Sequence, residues 1–236
     1  MNIRDFLKGH ILLFEKINFE YEKKYRNRLI YSFLLLGIVT IPAIQQISKY
    51  LDINQFEWSN TASILSMLVL FILVMKFILD FKFRTLGLYS WKQWPLVQKL
   101  YFLQVVPIAI VVFSLLFKNH LENLIESYNG VSGFIFFSMI PGIIWGIIQE
   151  FVYRGMLQNE LVRRFGAFSG IMVSNLIFTF GPLHFYYFNI GSTSPIQWMM
   201  FLSIFAIGFL FGVLYHRSGN LWIPAIFHGL WMLNWQ

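Results

Sequence analysis

The sequence predicts an all-α fold: a polytopic membrane helix bundle of about seven to eight transmembrane helices. Three observations predict it. The 236 residues are 57% hydrophobic, 19% aromatic and only 12% charged, too little charge to keep a soluble domain of this size dispersed. The apolar residues come in blocks that contain no Asp, Glu, Lys or Arg. The basic residues that carry the net charge of +7 cluster between those blocks in alternate loops, as the positive-inside bias requires.

The first 28 residues form a leader that is charged throughout, unlike a cleaved signal peptide. Ile3, Phe6, Leu7, Ile11, Phe14 and Ile17 recur at helical spacing there, which suits an amphipathic helix lying in the cytoplasmic interface. Residues 29–236 then make one multi-span membrane domain. Its uncharged blocks run from Leu29 to Ser48, Trp58 to Met75, Leu100 to Phe117 and Ser127 to Gln149. Phe165 to His216 is long enough for two spans, and Ser218 to Gln236 closes the chain. Between the second and third blocks, residues 83–98 mix Trp, Tyr, Lys and Pro, a composition suited to the headgroup layer. The basic clusters put the N-terminus in the cytoplasm. They form no continuous stripe, so nucleic acid is not an expected partner; the lipid bilayer is. Gly142 with Gly146, and Gly208 with Gly212, read as places where helix backbones approach. The chain has no cysteine, which excludes disulfides and thiol catalysis.

An ionisable group inside a span costs several kcal/mol unless it is paired or faces a wet cavity. The candidates are Glu150 with its neighbour Gln149, then His184, then His228, each on a different predicted helix. Glu150 and Arg154 are four apart with the acid first, a spacing that pairs them on one helix face. Gly181 and Pro182 should break the helix before His184 and open backbone toward a cavity. His228 lies about 12 Å into its helix counted from Asn220. Two chemistries fit this set. A carboxylate and a histidine can deprotonate a water that attacks a peptide carbonyl while the second histidine stabilises the oxyanion. Alternatively Glu150, His184 and His228 could bind zinc and acidify its water, although no HExxH spacing is present and no cofactor is expected.

In order and spacing, residues 140–236 resemble the CAAX prenyl protease and bacteriocin-processing (CPBP, or Abi) family of intramembrane glutamic endopeptidases. The family's EExxxR stands here as QEFVYR, Gln149 to Arg154, followed by Gly155; its FxxxH stands as FGPLH, Phe180 to His184; its third motif begins at His228. The run-in at 208–228 and the RTLGL stretch at 84–88 are also similar. The resemblance places the motif-bearing core at about 131–236. It implies an intramembrane endopeptidase that cleaves a membrane-bound peptide or protein substrate, prenylated or of the bacteriocin type, through water activated by Glu and His. The family's first Glu is the general base with the FxxxH histidine, its last-motif histidine holds the oxyanion, and its second Glu and Arg orient the site. Tyr153 and Phe180 are supporting positions within the motifs. Two positions depart from the pattern. Gln149 occupies the first Glu position, and an amide accepts no proton at neutral pH. Met232 stands where Asn is common, with Asn234 two residues further on. Either Glu150 is the base, or the protein is a catalytically inactive member acting as an immunity or regulatory binding protein. A proton-coupled transporter is a third reading, but no paired half-sequences support it. The expected location is a bacterial plasma membrane.

Overall fold

The protein is described by a computed structural model over residues 26–40, 43, 64–66, 68–69, 71–78, 80, 83–88, 90–116, 118–181, 183–184 and 195–232. The amphipathic leader up to residue 25, the start of the second apolar block, Pro182 and Asn234 lie outside the described residues. Every regular element among them is helical. Helix α1 (Arg26–Phe33) continues as a π-helical turn, Leu34–Thr40. A second π-helical turn covers Val74–Ile78, and two short 3-10 turns cover Phe83–Leu86 and Trp91–Gln93. Then come α2 (Leu96–Leu116), α3 (Lys118–Ser127), α4 (Val131–Phe165), α5 (Ala167–Phe180), α6 (Pro195–Ser218) and α7 (Trp222–Met232).

Two of these are long and apolar enough to cross a membrane, Val131–Phe165 and Trp198–Ser218, and shorter apolar helices include Leu29–Thr40 and Ala167–Phe180. Side-chain placement agrees with lipid as the solvent. Leu103, Ile108, Val111 and Leu115 on α2, and Trp198, Met199 and Leu202 on α6, face outward. Glu150, Arg154, Gln158, Ser174, Asn175 and Thr179 face inward. Apolar wall outside and polar groups inside is the arrangement a bilayer selects.

The chain punctuates these helices with local chemistry. Helix α4 carries Arg163 and Arg164 in its last turn, beside its negative dipole end, and stops at Gly166, whose φ of 82° suits a residue without a Cβ. Helix α6 ends likewise with His216 and Arg217 before Gly219. The Asn220 side-chain oxygen then accepts the Trp222 backbone N–H at 3.0 Å and starts α7.

At about 1.5 Å per residue α4 is about 50 Å long, well beyond a hydrocarbon core of about 30 Å. It is not wound uniformly: Phe151–Gln158, directly after Glu150, is π-helical, a winding that is rare and concentrates at functional sites. Helix α7 lies along the first half of α4 at backbone contact. A Cβ on Gly146 would stand 2.6 Å from the Ala225 carbonyl oxygen and 2.7 Å from the Gly229 nitrogen. Helices α5 and α6 pack on the second half of α4, and α1 packs on its π-helical segment, where Phe33 meets Tyr153 edge-on at 5.3 Å. The stretch around RTLGL is tied to this core. Its Leu86 carbonyl accepts the Tyr215 hydroxyl at 3.0 Å, and its Gly87 carbonyl accepts the Leu221 N–H at 3.1 Å.

Candidate active site

Glu150 ends the α-helical part of α4 and is completely buried. Both carboxylate oxygens are engaged. Oε2 accepts Arg154 Nε at 3.2 Å, one turn further along α4, and Oε1 is 2.8 Å from His228 Nδ1 on α7. An ionised carboxylate only accepts hydrogen bonds. In the ion pair with Arg154 the carboxylate accepts from both sides, and His228 donates to it through Nδ1–H. Arg154 is held from a second direction, since Nη2 donates to the Gly208 carbonyl of α6 at 2.8 Å. Its guanidinium carbon lies 4.8 Å from the centre of the Phe178 ring, within cation–π range.

Phe178 is the hub of the site. Its ring meets His184 edge-on at 4.9 Å, His228 edge-on at 5.7 Å and Tyr153 edge-on at 5.1 Å. His184 sits in the turn after α5 and donates from Nδ1 to the Phe178 carbonyl at 2.7 Å, because a carbonyl can only accept. His228 is stacked on Phe211 of α6, with ring centres 5.1 Å apart. The structure therefore gathers Arg154, His184 and His228 around one aromatic ring, with Glu150 bonded to the first and the last of them. Among the described residues no three His, Asp or Glu side chains are placed to hold one metal ion, so the donor set for zinc is incomplete there.

The depth arithmetic works out differently from the count along the sequence. Twenty residues separate Arg164 from His184, about 30 Å of continuous helix, against about 20 Å for Glu150. Helix α5, however, stops at Phe180, about 20 Å along. The turn after Gly181 folds His184 back onto Phe178, the ring that also meets His228, the partner of Glu150.

Gln149 is buried, 2% exposed, and its side-chain oxygen has no partner among the described residues. Met232 ends α7 one turn after His228. Phe180 stands at the end of α5 and stacks on Phe201 of α6 at 5.6 Å. Tyr153 is fully buried, and its hydroxyl has no partner among the described residues.

The sequence matches the type II CAAX prenyl endopeptidase Rce1-like family over residues 131–233. That stretch holds every motif-bearing residue of the site. The chain is also 32% identical over 94 residues to the uncharacterized protein YpbD of Bacillus subtilis (strain 168), covering 38% of this chain and 41% of that protein. The match thus spans about two fifths of the relative's length. No solved structure matches the chain. Glu150, Arg154, His184 and His228 all lie within the matched residues.

Sequence reasoning missed part of the domain's polar interior. Gly208 and Gly212 were expected to bring helix backbones together. In the structure they also make room for polar side chains. A Cβ on Gly208 would lie 2.4 Å from Asn175 Oδ1 and 3.2 Å from Arg154 Nη2, and one on Gly212 would lie 2.7 Å from Gln158 Oε1. Gln158 donates to the Gly212 carbonyl at 2.8 Å just as Arg154 donates to Gly208. The signal was present in the spacing. Glu150, Arg154 and Gln158 are successive fourth residues, and so are Gly208 and Gly212.

Proposed function

We propose that the chain is an intramembrane endopeptidase that hydrolyses a peptide bond near the C-terminus of a membrane-associated substrate, through water activated by glutamate and histidine. The observation that carries this reading is the buried Glu150–His228 hydrogen bond beside His184, inside a domain whose family is one of prenyl endopeptidases. A carboxylate that orients a histidine is a recurrent way to make neutral imidazole a base or a proton donor. The favoured substrate is a polypeptide tethered to the bilayer by a prenyl group. The bacterial relative and the alternating basic loops support a bacterial plasma membrane with the N-terminus in the cytoplasm. The test is a farnesylated CAAX peptide offered to the protein in lipid nanodiscs. Release of the C-terminal tripeptide is expected from the wild type, with loss of at least about 100-fold for Glu150→Ala and for His184→Ala. Wild-type turnover in both variants would reject the assignment.

A second reading is favoured by one specific feature. Position 149 holds an amide with an unpartnered oxygen, while Glu150 has both oxygens occupied. A protein that keeps the pocket but lacks a free carboxylate would bind its membrane partner without cutting it. Proteolysis that appears only in Gln149→Glu would select this reading.

A further inference from the structure

We infer that His228 is the general base of this site and that Glu150 is a positioning residue acting through it. This rests on the endopeptidase reading above. In the family pattern the base is a carboxylate at position 149, and that position here is an amide. The remaining carboxylate, Glu150, is completely buried with Oε2 on Arg154 and Oε1 on His228. Each oxygen of this carboxylate is thus already committed to one donor. One of the two donors is a histidine whose tautomer it fixes.

The tautomer follows from the bonding. Glu150 accepts from Nδ1, so neutral His228 carries its hydrogen there and its lone pair on Nε2. No partner for Nε2 is found among the described residues. Two aromatic rings pack against the imidazole. Phe211 stacks on one face, with planes 30° apart, and the edge-on Phe178 ring meets it at 83°. Arg154 keeps the carboxylate in place through its second bond, to the Gly208 carbonyl. Carboxylate, Nδ1–H and bare Nε2 are the parts by which a buried acid fixes an imidazole's tautomer and aims its far nitrogen. His184 differs in this respect, because its Nδ1 hydrogen goes to a neutral backbone carbonyl.

In the step this implies, Nε2 of His228 takes one proton from a water molecule as the water oxygen bonds to the scissile carbonyl carbon. The carbonyl π pair moves onto its oxygen. When the intermediate collapses, that pair re-forms the C=O bond, the C–N bond breaks, and Nε2–H gives its proton to the departing nitrogen. One water is consumed, and an acid and an amine are formed.

Two measurements on the full chain in lipid nanodiscs test the inference. The first is the nitrogen NMR spectrum of histidine-labelled protein, with His228→Gln for assignment. A hydrogen on Nδ1 and a bare Nε2 are expected. A hydrogen on Nε2, alone or together with one on Nδ1, overturns the inference whatever the protein cleaves. The second is turnover of the farnesylated CAAX peptide by His228→Ala with and without added imidazole. A loss of about 100-fold or more, partly restored by imidazole, is expected. His228→Ala within tenfold of wild type, or a folded His228→Ala whose lost turnover imidazole does not restore, overturns the role of His228 and leaves the endopeptidase reading standing. Wild-type protein that releases no tripeptide overturns that reading itself, and with it the catalytic role of His228.

Discussion

Arg154 is the residue on which the interior depends. It is completely buried, pairs with Glu150, bonds the Gly208 carbonyl and covers Phe178. Removing one partner of a buried ion pair leaves the other charge uncompensated, at a cost of about 3–5 kcal/mol. Arg154→Met should therefore lower the unfolding temperature in detergent by many degrees, and Arg154→Lys should recover only part of it, because an ammonium cannot reach two acceptors with a planar fork. Unchanged thermal stability in Arg154→Met would contradict the pairing. The Glu150–Arg154 contact was legible in the sequence, since a spacing of four is enough to place both groups on one face. That His228 shares a site with Glu150 was also expected, but the direct hydrogen bond was not legible, because residues 78 apart in the chain are set at that distance only by the packing of two helices.

At the scale of the element, α4 and α7 hold the site together, and glycine sets their separation. The Glu150–His228 bond of 2.8 Å exists because Gly146 lets α7 approach α4 at backbone contact, one turn before Glu150. A side chain there would have to displace the Ala225 carbonyl or the Gly229 backbone, and overpacking of this kind costs about 1–3 kcal/mol. Gly146→Val should both destabilise the protein by about that much and weaken tripeptide release at least tenfold. Equal turnover in Gly146→Val and wild type would show that the α4–α7 distance does not matter. The sequence marked the four-residue glycine spacing but not its use on α6, where the glycines admit Arg154 and Gln158. Small residues read the same whether they face a backbone or a polar side chain. Helix length was the other limit. The break at Gly181 was legible, but its effect on depth depends on the turn that returns His184 to Phe178.

For the whole molecule, the all-α membrane class followed from composition and uncharged blocks. It is borne out by the outward apolar faces and by two helices long enough to span a bilayer. What the blocks could not reveal is that α4 continues beyond the end of its uncharged block at Gln149 as one helix to Phe165. Lipid outside makes the interior the only place for polar groups, and several remain without protein partners among the described residues: Gln149 Oε1, Tyr153 Oη, Ser174 Oγ and Thr179 Oγ1. Buried polar atoms in folded proteins are satisfied by ordered water when protein groups do not reach them. A hydrolase inside a membrane needs water, and this interior offers it hydrogen-bonding sites.

The account stands on carboxylate and imidazole from separate helices forming one unit. A double-mutant cycle on thermal stability, with Glu150→Ala, His228→Ala and the pair, measures that contact without reference to any substrate. A coupling of at least about 1 kcal/mol is expected for side chains in direct hydrogen-bonded contact. Losses that add to within about 0.3–0.5 kcal/mol would mean that the two residues do not meet.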